Sequence, residues 1–154
     1  MIYSRIKYGS VVYGLTSDAN LDKIQIMQNK LLKVISSKPY RFSTNKLHNE
    51  LFLLKFKDIV KQDILSFVYN YVHSNLPSVF DNYFKHRHSL YDILSGHKPL
   101  RFKYAIYKKN IGENTVKVQG PKLYNKDASD IDLNLSLKTF RYKIKTKILN
   151  YPDK

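Results

Sequence analysis

Leu21-Asp-Lys-Ile-Gln-Ile-Met-Gln-Asn-Lys-Leu-Leu-Lys-Val-Ile35 decides the fold class. Leu21, Ile24, Gln28, Leu31 and Ile35 recur at spacings of three and four. That is the period of a helix with one apolar side. Lys23, Lys30 and Lys33 lie away from much of this stripe, so the remaining surface is basic and rich in amides. Thr16-Ser-Asp-Ala-Asn20 supplies side-chain oxygens for the helix start. Ser36-Ser-Lys-Pro39 ends it, because the residue before a proline avoids the helical region. The stripe is expected to pack Leu21, Ile24, Leu31 and Ile35 against the rest of the domain.

Outward from this helix the same pattern repeats. Met1 to Tyr13 reads as helical, with Ile2, Ile6 and Tyr13 on one side and no capping residue before it. An uncapped helix at the initiator reads as cut short. Ser43-Thr-Asn begins a short helix through Leu51. Asp58 suits the cap of a longer one, whose broad face carries Ile59, Ile64, Phe67, Val68, Tyr71 and Val72. Asn75-Leu-Pro77 stops it, and Val79 to Phe84 reads as another helical turn or two. Residues 85–100, with His86-Arg-His88, Gly96 and Pro99, read as a loop. Phe102, Tyr104 and Ile106 alternate with Arg101, Lys103 and Ala105, and Thr115-Val-Lys-Val118 alternates too. With Gly112-Glu-Asn114 as the turn, this predicts a β-hairpin over about 101–119. Pro121 suits the first position of a short helix. Ser136 caps a final helix with the stripe Leu137, Phe140, Ile144 and Ile148, which Pro152 closes.

The expected fold class is therefore mainly α: a small helical domain with one two-stranded β-hairpin. It reads as a single, truncated domain over residues 1–154. Its parts are a helical portion (1–84), a loop (85–100), and a portion with hairpin, short helix and basic C-terminal helix (101–154).

Composition narrows the function. A chain of 154 residues, 43% hydrophobic, has the size and apolar content for one core. No apolar run approaches the roughly 18–20 residues that span a bilayer. The longest is Leu51-Phe-Leu-Leu54, so no membrane partner is expected. No signal peptide is visible at the N-terminus. The absence of cysteine excludes disulfides, thiolate catalysis and cysteine-bound zinc, and fits an intracellular setting. The net charge is +15, from 27 Lys plus Arg against 12 Asp plus Glu. Such an excess suits a polyanion, with nucleic acid first. Lysine greatly outnumbers arginine, however, and Ile, Asn and Tyr abound, as an AT-rich coding sequence produces. A merely solvated basic surface is the competing reading.

Two stretches carry the binding candidates. Lys98, Arg101, Lys103, Lys108 and Lys109 interleave with Phe102, Tyr104 and Tyr107 and meet no acid. Cations there can neutralise phosphates while an aromatic such as Tyr107 stacks on a base. The alternative is that Phe102 and Tyr104 face the core. The final helix carries Lys138, Arg141, Lys143, Lys145 and Lys147, again without an acid. Lys23, Lys30 and Lys33 are weaker candidates. His86, His88 and His97 read as an exposed basic loop, and no metal site is expected.

Several segments together resemble one family. They are Tyr8-Gly9, Tyr13-Gly14, Ile26-Met-Gln-Asn-Lys-Leu-Leu-Lys-Val-Ile35, Leu53-Leu-Lys-Phe-Lys-Asp-Ile59 and Phe67-Val-Tyr-Asn-Tyr71. Leu76-Pro77, Phe80-Asp-Asn-Tyr-Phe84, Gln119-Gly-Pro-Lys-Leu-Tyr-Asn125 and Ser136-Leu-Lys-Thr-Phe140 follow in order. The set resembles the C-terminal, post-thumb segment of non-LTR retrotransposon (LINE, jockey-like) reverse transcriptases, over nearly the whole chain. Tyr13 and Tyr124 stand where the family usually has tryptophan, and Asp127-Ala128 replaces its Leu-Pro pair. The resemblance implies a non-catalytic piece of an RNA-directed DNA polymerase. Such a piece would buttress the upstream palm and thumb and touch the backbone of RNA or DNA. A polymerase holds two metal ions with paired aspartates, which the family carries as Tyr-x-Asp-Asp. This chain has no adjacent aspartates. No histidine is followed two residues on by Asp, as an iron dioxygenase requires. No activity of its own and no cofactor are expected. The alternatives are a structural or protein-interaction helical module, or a decayed remnant without present function.

Overall fold

A computed structural model of the chain describes residues 14–15, 18–87, 100–104 and 113–150. The elements are α1 (Asp18–Ile35), α2 (Thr44–Glu50), α3 (Phe56–Val72), a 3-10 turn (Ser78–Phe80), β1 (Lys85–His86), β2 (Phe102–Lys103), α4 (Val116–Leu123), a π-helical turn (Tyr124–Ala128) and α5 (Leu137–Asn150). The fold class is the expected one, mainly α with a two-stranded antiparallel sheet. Met1 to Tyr13 and Pro152 lie outside the described residues.

One strand of the sheet, Phe102–Lys103, lies within the alternation at 101–106 that predicted it, but its partner is a different segment from the predicted one. Phe102 and Lys103 pair with His86 and Lys85, inside the expected loop. Thr115-Val-Lys-Val118 does not supply the second strand, because Val116 onward is helical. Val118, Pro121, Tyr124 and Ala128 are buried at spacings of three and four, a stripe longer than the four-residue alternation that suggested a strand. Pro121 accordingly sits inside α4 and not at its first position. A proline there removes one backbone bond and crowds the preceding turn. Beyond α4 the chain continues as a π-helical turn at Tyr124–Ala128.

The chain divides into two compact units, residues 1–60 with 145–154, and residues 61–144. In the first, side-chain amides join α1 to the segment 53–56 that links α2 to α3. The backbone N–H of Phe56 donates to Gln25 Oε1 at 2.7 Å. Gln25 Nε2 therefore points the other way, donating to Gln28 Oε1 at 3.0 Å and Asn29 Oδ1 at 2.8 Å. Gln28 Nε2 donates to the carbonyl of Leu54 at 3.0 Å. Around this network Leu21, Leu47, Leu54 and Phe56 are buried. The expected α1 stripe is thus only half used. Leu21 and Gln28 are buried, Ile24 is half-buried, and Leu31 and Ile35 stand in solvent. The amides take the place that Leu31 and Ile35 were expected to fill.

His48, 2% exposed, closes the network. Its Nδ1 lies 3.1 Å from the Leu53 carbonyl and its Nε2 lies 3.0 Å from Asn29 Oδ1. Both ring nitrogens face acceptors, and only an imidazolium can donate to both. Burial opposes that charge most strongly; the Leu53 hydrogen bond counteracts it in part, and the pKa stays below the ordinary 6.5. The neutral ring donates to one acceptor at a time.

In the second unit aromatic rings surround Phe84. Their centroids lie 4.8 Å (Tyr71), 5.0 Å (Tyr83), 5.5 Å (Phe102) and 6.2 Å (Phe67) from its own. Edge-to-face pairs of this kind add to the gain from burial. α5 is fastened to α3 by polar groups. Gln62 Nε2 donates to the Arg141 carbonyl at 2.8 Å, and the Arg141 guanidinium pairs with Asp63, whose side chain is 7% exposed. Tyr69 and His73 hydrogen-bond the carbonyls of Leu135 and Leu133, holding the loop before α5. Ser136 caps α5 as expected, accepting from Thr139 N at 3.3 Å.

Three helices end in the same way without glycine. After α1, α2 and α3 the residues Ser37, Phe52 and Ser74 take φ values of 52°, 49° and 53°. In each case the next N–H reaches back to the carbonyl five residues earlier: Lys38 to Lys33, Leu53 to His48, Asn75 to Asn70. This is the Schellman arrangement, where glycine is the usual residue because it meets no Cβ penalty.

Two outcomes follow for stability. Ser37→Gly and Ser74→Gly should each stabilise the fold by roughly 0.5–1 kcal/mol, read as a raised urea midpoint. For His48, the unfolded chain takes up its proton near 6.5 and the folded chain only at lower pH. The stability it contributes is intact above 6.5 and is lost as pH falls through the folded pKa. Between about pH 7.5 and about pH 5 the wild type should lose more stability than His48→Gln.

Candidate nucleic-acid interface

The geometry begins at Gly120. A Cβ there would meet Phe84 Cζ and Val68 Cγ2 at 3.1 Å. Without one, α4 lies directly against α3 and the aromatic cluster. Pro121 and Tyr124 are buried beside it. Burial, aided by the charge of Asp130, pushes the Tyr124 phenol up to about 12, so it stays protonated. Asn125 then reaches β2. Its Oδ1 accepts from Phe102 N at 3.0 Å, and its Nδ2 donates to Phe102 O at 2.8 Å. One side-chain amide thus satisfies both backbone groups of Phe102, as a neighbouring strand would.

This contact places two basic segments along one groove. It has a volume of about 720 Å³ and is lined by Arg87, Arg101, Phe102, Lys103, Tyr104, Lys122, Asn125 and Lys126. Five of these are cations and none is acidic. Arg87, Lys103, Lys122 and Lys126 are exposed and Arg101 is half-buried. Arg87 N donates to Arg101 O at 2.8 Å, which ties the two arginine-bearing segments together. Across the sheet Lys85 stands directly opposite Lys103. Like charges so placed destabilise a strand pair. Burial lowers the pKa of His86, which leaves it neutral among these cations. Tyr104 is 43% exposed and presents a ring to solvent, whereas Phe102 is 1% exposed and belongs to the core.

The expected site residues separate into groups. Arg101 and Lys103 line the groove. Lys98, Tyr107, Lys108 and Lys109 lie outside the described residues. Lys138 and Lys143 are exposed on α5 and do not line the groove. Arg141 is held by Asp63, an acid that comes from α3 and is invisible in the local sequence of α5. The Lys145 ammonium stands 4.2 Å from the Phe52 ring centre, and burial lowers its pKa. Lys147 is half-buried. The basic final helix is therefore in part structural.

Arg87, Lys122 and Lys126 are absent from the sequence-based candidates. Lys122 and Lys126 are four apart, which in a helix puts them on one face. That signal was available once residues past Pro121 were read as helical. Nothing local pointed to Arg87, which joins the groove through strand pairing.

Gly120→Ala should destabilise the protein by about 1–3 kcal/mol, since a new methyl must displace Phe84 or Val68. Asn125→Ala should cost about 1–3 kcal/mol by leaving the Phe102 backbone groups unpaired. Chemical denaturation measures both, and hydrogen exchange at Phe102 should rise in the second variant.

No protein-family model, curated protein or solved structure matches the chain.

Proposed function

We propose that this chain is a non-catalytic nucleic-acid-binding module that grips backbone phosphates of RNA or DNA in the groove between β2 and α4. The observation that carries this reading is the gathering of five cations, with no acid among the described lining residues, from segments 87, 101–103 and 122–126. The Lys85–Lys103 opposition supports it, because a phosphate placed there relieves the repulsion. Tyr104 offers a stacking surface beside the cations. Contacts of this kind are tolerant of sequence and sensitive to salt.

The broader proposal is that the chain is the post-thumb segment of a non-LTR retroelement reverse transcriptase, seated against the upstream palm and thumb. What supports it is the motif Gln119-Gly-Pro-Lys-Leu-Tyr-Asn125. Gly120, Pro121, Tyr124 and Asn125 are the residues on which the groove depends, and Lys122 lines it. A second reading, a protein-interaction module, is favoured by the apolar side of α1 that stands in solvent.

A salt titration of binding to labelled single-stranded RNA and duplex DNA tests the groove. Affinity should fall steeply with salt. Lys103→Ala and Lys122→Ala should each lower the slope for single strands by about 0.7, while Lys138→Ala leaves it unchanged. Absence of binding at low salt, or equal slopes for all three variants, rejects the proposal.

A further inference from the structure

α1 carries a second apolar row. Ile26, Met27, Leu31, Val34 and Ile35 are between 38% and 77% exposed. They follow at helical spacing: Leu31 and Ile35 continue from the edge of the side that buries Leu21 and Gln28, and Met27, Val34 and Ile26 lie progressively farther round the helix. The row runs for roughly 13 Å at the rise of an α-helix. Contiguous apolar surface rimmed by polar groups marks an interaction site more often than a solvated face.

Charge decides what fits it. Lys30 stands within the row, three or four residues from Met27, Ile26 and Val34, and Lys23 stands one turn before Ile26 and Met27. Both are exposed. The nearby acids are engaged elsewhere: Asp18 and Asp22 hold Lys57 at 3.1 and 3.0 Å, and Glu50 holds Lys38 at 3.1 Å. Among the described residues no carboxylate pairs with Lys23 or Lys30, so the face is apolar and carries positive charge. A second copy would oppose it with like charge, at +15 per chain. A helix whose apolar stripe is flanked by carboxylates gains from both features. Side-chain ridges of one helix seat between those of another, which suits a straight row of this length.

We propose that the outward face of α1 docks an amphipathic helix of a partner protein, with Asp or Glu beside its apolar stripe. The surface belongs to the first unit and the basic groove to the second, so the two readings fail separately.

The probes are two labelled synthetic helices with identical leucine rows, one flanked by glutamate and one by lysine, titrated against the full chain. The glutamate peptide should bind saturably and about tenfold or more tighter than the lysine peptide. Met27→Glu and Val34→Glu change exposed positions, and circular dichroism verifies that they fold. Each should weaken the glutamate peptide about tenfold or more and leave RNA binding unchanged. Equal affinity for both peptides overturns the proposal, as does indifference to both variants. So does a dimer by light scattering that Val34→Glu dissociates. Binding to vesicles of equal phosphatidylcholine and phosphatidylglycerol through these side chains, without peptide binding, also overturns it.

Discussion

A bare Cα at position 120 sets the geometry of the larger unit. The backbone of α4 approaches Phe84 and Val68 so closely that a Cβ would lie 3.1 Å from each, a contact that only a shift of those side chains relieves. From that approach the rest follows in sequence. Tyr124 enters the core against Phe102, 5.4 Å between ring centres, and Asn125 comes within reach of the Phe102 backbone. β2 is thereby fixed, and with it Arg101 and Lys103 on one side of a groove whose other side is Lys122 and Lys126. Packing density, and not charge, is what assembles a surface of like charges. Five cations would not collect unaided; the aromatic cluster around Phe84 offsets their repulsion.

The smaller unit solves a different problem. Its helix α1 meets the segment 53–56 mostly through amides, where apolar packing was the simpler expectation. Buried amides discriminate by direction. Each has one donor end and one acceptor end, and the Phe56 N–H and Leu54 carbonyl fix both glutamines. Such a network specifies register more sharply than leucines do, because a shifted pairing would bury unsatisfied groups. The neutral His48, facing two acceptors, is the one member that the network leaves short by a proton.

Helices were legible in the sequence wherever the apolar period extended over several turns, as in α1, α3 and α5. Of the sheet only β2 was legible, within the alternation at 101–106; the two residues of β1 leave no period to read. The alternation at 115–118 was too short to separate a strand from the first turn of α4. The roles of individual residues were harder still. Gln28 falls on the apolar stripe and is buried there with its amide donating to the Leu54 carbonyl, whereas Asn29, on the amide-rich side, is half-buried because it accepts from Gln25 and faces His48. Arg141 looked like an outward cation until Asp63, 78 residues away in the chain, was brought beside it. The groove draws on three separated segments, so linear clusters of lysine found only Arg101 and Lys103 of its five cations.

The amide of Asn125 has a further consequence for how the protein behaves in a crowded solution. A two-stranded sheet normally offers open hydrogen-bonding rims on which another chain can add a strand and begin aggregation. At Phe102 the rim is closed by a side chain that occupies both the donor and the acceptor. The neighbouring positions are Arg101 and Lys103, and charge at such a rim repels an incoming strand. The same three residues that shape the basic groove thus act as a gatekeeper against templated assembly.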